Sequence, residues 1–291
     1  MMNLLRTGAL LAALTALFVG VGFLIGNETG MIIALVIALA TNAFAYWYSD
    51  SLLLRTYGAR EITRASHPEL YALVAELARG AELPLPRLYV IDNDQPNAFA
   101  TGRNPDNAAL AVHTGLLRML TREEVAGVIG HELAHIRNYD TLTMTVTATL
   151  AGAVAALANI GISSRDPHDQ NGPSFLEGLL IMLVAPFAAG IIQMAISRSR
   201  EYEADRIGAT ISGQPNRLAD ALLKIHQGVR HLANPTAEAN PATTHVFIMN
   251  PLQGWISDLF ASHPPTAERV RRLRAMTPEA GAAIGRVART L

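Results

Sequence analysis

Residues 8–26, GALLAALTALFVGVGFLIG, carry no charged side chain over almost the ~20 residues that an α-helix needs to cross a bilayer. In hydrocarbon every backbone amide must be satisfied inside the segment, so a stretch of this kind has to be helical. A short link, NETG, follows. Then MIIALVIALATNAFAYWY, 31–48, repeats the pattern and closes on Tyr46, Trp47 and Tyr48, ring types that settle at the membrane–water boundary. The pair reads as a transmembrane helical hairpin over 1–48. The alternative is a cleaved secretory signal, but the apolar core is long for one, and a second span follows without a small-residue cleavage site.

Two further stretches, 141–162 and 178–196, are uncharged and long enough to span, although they are rich in threonine and alanine and the second contains Pro186. Buried helices of a large soluble core would look similar. The polar loop SSRDPHDQNGPS between them favours a second hairpin, and spans tolerate proline because neighbours satisfy the freed carbonyl. Arginine placement orients the set. Arg6, Arg55, Arg60, Arg64, Arg137, Arg198 and Arg200 flank the spans on one side, whereas the two links hold only Arg165, offset by Asp166 and Asp169. Basic residues mark the cytoplasmic side, so both termini and both polar segments are expected there, on a multi-pass protein of the inner (plasma) membrane. The chain divides accordingly into 1–48, 49–140, 141–197 and 198–291.

Composition fits this division. Apolar residues make up 50% of the 291 and charged ones only 16%, which is greasy for a soluble protein. A net charge of −1 leaves no electrostatic footprint for nucleic acid. With no cysteine, any metal site must be built from histidine and carboxylate.

Within 49–140, Ser66 and Glu69 stand at capping-box spacing before an amphipathic helix that runs to about Arg79. LYVI (88–91), NAFATG (97–102) and AALAVHTGLL (108–117) read as strands around the polar turn RNPDN. Thr121 and Glu124 form a second capping box, opening the helix TREEVAGVIGHELAHIRNYD. ANPTAEANPATT, 233–244, reads as a mobile loop. The expected fold is mainly α with a small β-sheet, an α+β module beside membrane helices.

The string HELAH carries the chemistry. His131 and His135, four apart, share one helix face and can ligate one cation, and Glu132 stands where zinc hydrolases keep the general base that activates water. Catalytic zinc takes three protein ligands, and SRSREYEADRIGA, 197–209, offers the third. Glu201 and Asp205 again share a face: Glu201 is the candidate ligand, and Asp205 the candidate acceptor from the outer nitrogen of a ligand histidine, His131. A solvated helix with scattered ion pairs is the alternative. Span topology brings HELAH and REYEAD to the same side of the membrane, which a scattered surface helix does not explain. An intramembrane protease could draw an aspartate from NPDN, 104–107, but that string sits in a polar turn. A non-catalytic scaffold or transporter would need polar groups within the spans, where only threonine, asparagine and one glutamine occur.

PNAFATG, GHELAHIRNYD, SREYEAD and SHPPTAERVRRL, in this order around four hydrophobic stretches, resemble the HtpX membrane zinc endopeptidases, relatives of the CAAX prenyl endopeptidases. The resemblance covers nearly the whole chain. It implies a gluzincin-like site with one zinc ion per chain on His131, His135 and Glu201, Glu132 as base, and quality control of membrane proteins as the role. His263 becomes the candidate second donor to the oxyanion and Arg269 its orienting partner. The other reading leaves His263 structural, beside a helix start that accepts Pro264 and Pro265. Asn97, Ala98 and Phe99 are expected to border the cleft and hold an extended polypeptide substrate by main-chain pairing. Nothing in the residues specifies an oligomeric state.

Overall fold

The computed structural model describes residues 2–150, 198–253 and 263–276. Most of the third apolar stretch, the whole of the fourth and the loop between them lie outside these residues.

The chain opens with α1 (Met2–Thr56), interrupted at Gly26 and at Asn27, whose φ is 50°. The interruption folds it into an antiparallel hairpin. Asn42 on the second arm donates to the Leu11 carbonyl at 3.2 Å and to Thr15 Oγ1 at 2.9 Å on the first. Near the turn the arms meet at Gly22 and Gly30, where a Cβ on Gly30 would stand 2.2 Å from the Gly22 carbonyl oxygen, so only glycine permits the approach. Two helical segments here, Thr7–Leu24 and Gly26–Thr56, are long and apolar enough to cross a membrane, and little of either is buried in the protein. Phe23, Leu24, Ile32, Ile33, Val36, Leu39 and Trp47 point outward.

Four strands follow: β1 (Arg60–Glu61), β2 (Arg87–Ile91), β3 (Ala98–Gly102) and β4 (Ala108–His113). They form one mixed sheet in the order β1-β2-β4-β3, with β2 and β4 parallel and the other pairs antiparallel. β3 therefore lies at an edge. Strand alternation sends Leu88, Val90, Ala98, Ala100, Leu110 and Val112 to one face, against α2 (Pro68–Gly80), α4 (Arg122–Arg137) and α7 (Pro215–His231). Tyr89, Ile91, Phe99, Ala109 and Ala111 face the other way, against Leu53, Leu54 and Tyr57 at the foot of the hairpin and Met144 and Ala148 from α5, described over 140–150. The sheet is thus sandwiched between α4, which carries both His131 and His135, with its neighbouring helices on one side and the base of the apolar hairpin on the other.

Several local expectations change. α2 starts one turn position later than predicted, with Pro68 in its first turn and no side-chain cap, because Ser66 Oγ instead accepts from the Thr63 amide at 3.0 Å. The strand expected over 108–117 ends at His113, and Thr114–Met119 form a short helix, α3. The segment expected to be a mobile loop is ordered. Asn234 caps Pro235–Ala239 (α8) by accepting from the Ala237 amide, and Pro241–Val246 continue as a buried 3₁₀ turn. The polar-turn reading of 104–107 holds: Asn104 caps the 3₁₀ turn Pro105–Asn107, and Asp106 is exposed.

Candidate active site

α4 is anchored by the predicted capping box. Thr121 Oγ1 accepts from the Glu124 amide at 3.4 Å, and Glu124 Oε2 accepts from the Thr121 amide at 2.8 Å and from Lys224 Nζ at 2.8 Å. From Glu124 to Ile136 the helix is buried on all sides. Such a helix can bear buried polar groups only where partners await them, and the three buried polar residues of its last two turns are His131, Glu132 and His135. Its main neighbour is α6 (Arg198–Ser212). The two helices touch backbone to backbone: a Cβ on Gly208 would lie 2.5 Å from the His131 nitrogen, and one on Gly130 2.6 Å from the Gly208 oxygen. That contact sets how far Glu201 stands from the histidines.

His131, His135 and Glu201 converge, exposed by 0%, 3% and 6%. The two Nε2 atoms are 3.1 Å apart, and the Glu201 oxygens lie 3.5 Å from His135 Nε2 and 3.7 Å from His131 Nε2. A tetrahedral ion with bonds of ~2.0–2.1 Å separates its ligand atoms by roughly 3.3 Å, so the three fit zinc. These are the residues among those described whose ligand atoms could together hold a metal ion.

The expected supporting residues lie round them, although Arg269 grips Asp205 and the partner of His263 is Glu201. His131 Nδ1 lies 3.0 Å from Asp205 Oδ1, and Asp205 accepts a bidentate pair from Arg269, Nε to Oδ2 at 2.8 Å and Nη2 to Oδ1 at 2.7 Å. Arg269, on α9 (Thr266–Arg274), is wholly buried and also donates to the Ile248 carbonyl at 3.0 Å. Burial pushes the Asp205 carboxyl up, but Arg269 and His131 outweigh it and hold it low. His263 Nδ1 sits 2.9 Å from Glu201 Oε2, and its Nε2 is buried without a partner among the described residues.

Glu132 is the one carboxyl group here left incompletely paired. Oε1 is buried with no partner among the described residues, while the Ala100 amide on β3 favours the charged form. Burial, reinforced by the Glu201 charge, pushes its pKa up to about 7. A carboxyl group that gains and loses a proton near neutrality suits proton transfer. Burial takes His131 down to about 4, as a neutral ligand requires. For His135 burial acts downward too, but the Asp140 hydrogen bond and the surrounding carboxylates carry it up to about 9.

Asp140 was not singled out by sequence, although it ends the very string that holds the histidines. Its Oδ2 lies 3.1 Å from His135 Nδ1. Arg200, beside Glu201, reaches its other oxygen at 3.6 Å.

Asn97, Ala98 and Phe99 lie on and beside edge strand β3, all fully buried. The Asn97 side chain donates to the Met249 carbonyl at 2.8 Å and accepts from the Met249 amide at 3.3 Å, while the Ala98 carbonyl accepts from Ile248 at 3.0 Å. Phe99 packs edge-on against Phe247 and near Tyr57. Segment 247–249 thus covers the start of this edge, leaving Ala100 as the β3 residue that faces Glu132. Of the remaining histidines, His113 and His245 are buried packing residues, His67 and His226 are half-buried and His231 is exposed, while His168 lies outside the described residues.

The crystal structure of S. mikatae Ste24p is similar in fold, with a TM-score of 0.52 and 17% identity, covering 90% of this chain. This chain spans 62% of the length of that protein. Residues 64–277, which hold HELAH, Glu201, Asp205, His263 and Arg269 together, match peptidase family M48, in agreement with the resemblance carried by the four motifs. With that match across most of its length and the histidine–carboxylate site that a metalloprotease requires, the chain belongs to peptidase family M48.

Proposed function

We propose that the protein is a membrane-bound, zinc-dependent endopeptidase that cleaves misfolded or damaged membrane proteins at the cytoplasmic face, in quality control and the response to stress. The observation that carries this reading is the convergence of His131 Nε2, His135 Nε2 and the Glu201 carboxylate beside a Glu132 carboxyl group with one unpartnered oxygen. The four apolar stretches and the arginine distribution support a multi-pass protein with both polar segments in the cytoplasm.

His131, His135 and Glu201 would hold one zinc ion per chain. Bound there, zinc would polarise the scissile carbonyl and make water more acidic. Glu132 takes the proton from the attacking water and delivers it to the leaving amine, a double duty that its raised pKa favours. His263 directs Nε2 as a donor to the developing oxyanion, with Nδ1 steadied by Glu201. Arg269 holds Asp205, and Asp205 in turn holds the outer nitrogen of His131. An extended substrate runs past Ala100 on the β3 edge, beyond the Asn97–Phe99 stretch that residues 247–249 cover, recognised by backbone rather than by side chain, which requires it to be locally unfolded.

Metal analysis of the detergent-purified chain, paired with cleavage of an unfolded protein with and without chelator, tests the proposal. About one zinc per chain and chelator-sensitive cleavage are expected. No bound metal and no cleavage would end it.

A further inference from the structure

Each ligand histidine presents Nε2 to the shared point and turns Nδ1 away. For His131 the outer nitrogen meets a carboxylate, Asp205, which an arginine, Arg269, holds in turn. A looser form of this three-part arrangement is repeated on the other histidine by non-ligand residues of the same two strings. His135 Nδ1 lies 3.1 Å from Asp140 Oδ2, and Asp140 Oδ1 lies 3.6 Å from Arg200 Nε. Asp140 is 1% exposed, and the Arg200 side chain 10%. A buried carboxylate facing a ring nitrogen makes that nitrogen the proton carrier, which leaves the lone pair on the other one.

We propose that Asp140, held by Arg200, is the positioning residue for His135: it fixes the tautomer and ring orientation that turn Nε2 to the metal. The inference rests on the zinc reading above. The backbone makes it possible. α4 stops at Asn138, and Tyr139, at φ 59°, turns the chain so that Asp140 comes back beneath the last helical turn. Tyrosine pays a steric penalty in that left-handed region, and the turn's return is the contact with His135. Arg200 directly precedes Glu201, so one short piece of α6 supplies the third ligand and sets a guanidinium 3.6 Å from the carboxylate that orients the second.

The full chain in detergent, stripped of metal, is titrated with zinc against a chromophoric chelator and with cobalt(II) for its absorption spectrum. Asp140→Asn, which keeps the size and loses the charge, should bind zinc about 10-fold more weakly and shift the cobalt bands. Asp140→Ala should lose up to about 100-fold, the range found when partners of metal ligands are removed. Arg200→Ala should lose less, and should add nothing in the Asp140→Ala background, because it acts through Asp140. Should Asp140→Ala not fold, Asp140→Asn and Arg200→Ala decide. Zinc affinity within twofold of wild type and an unchanged cobalt spectrum in the folded variants would overturn the assignment while wild type still binds metal. A wild-type protein that binds no zinc would sink the underlying reading instead.

Discussion

Glu132 and Glu201 are both buried carboxylates near the same point, yet their surroundings differ in a way that suits the opposite roles proposed for them. Glu201 faces both imidazole Nε2 atoms, and His263 with Arg269 nearby keeps it ionised despite its burial. Glu132 has one unpartnered oxygen and a raised pKa. Glu132→Gln is therefore expected to keep near-stoichiometric zinc and a folded protein while losing about 10²–10⁴-fold in turnover. Glu201→Ala should weaken zinc binding and activity together. Paired metal content and rate measurements check both, and a wild-type rate in Glu132→Gln would remove the base assignment. The residues that sequence made legible are those governed by helix periodicity: four-residue spacing pairs His131 with His135 and Glu201 with Asp205 wherever the helices lie. Asp140 escaped because it acts across a helix end, where the path is set by one left-handed residue, Tyr139, and no periodicity applies. The Asn97 contacts with Met249 join residues 152 positions apart and were equally beyond reach.

Among the elements, the pairing of α4 with α6 matters most to the site, and Gly130 and Gly208 permit it. Gly208→Val should push the helices apart, at a cost of about 1–3 kcal/mol for overpacking, and should lower zinc affinity even though no ligand changes. Denaturant midpoints and zinc titration on the same samples test this, and a stable variant with wild-type affinity would contradict it. β4 carries a second testable group at its end. His113 is buried with Nδ1 against the Gln95 carbonyl at 2.8 Å, and burial takes its pKa down to about 4 from an ordinary 6.5. The folded protein therefore holds it neutral while the unfolded chain takes up a proton below pH 6.5. The stability that depends on a neutral His113 is complete above pH 6.5 and lost as pH falls toward 4, by about 3 kcal/mol at most. His113→Gln should flatten that acid-side slope in melting curves, and an unchanged slope would place the titration elsewhere. The strands and α4 were legible from alternation and capping signals. The ordering of 233–244 was not, because proline and threonine content there serves caps and a buried 3₁₀ turn rather than solvent exposure.

For the molecule as a whole, the arginine distribution predicts that reporters fused after residue 60 and at the C-terminus report cytoplasm, and one within 164–174 the opposite side. A cytoplasmic signal from the loop would mean that the third and fourth stretches do not span. The two N-terminal helices were readable from uncharged length alone, whereas their closure through Asn42 and the Gly22–Gly30 contact depends on packing that no single-residue property encodes. The foot of α1 does not end in a linker. Leu53, Leu54 and Tyr57 share one core with Phe99 of the edge strand and with Phe247. Among the described residues this shared core leaves no linker between the hairpin and the edge strand, so on the proposed membrane-bound reading the cutting point would stand at a set height above the lipid surface. The protease should then behave as a ruler: in substrates whose unfolded segment is lengthened residue by residue from the membrane, cleavage should begin at a threshold length and keep a constant distance from the bilayer.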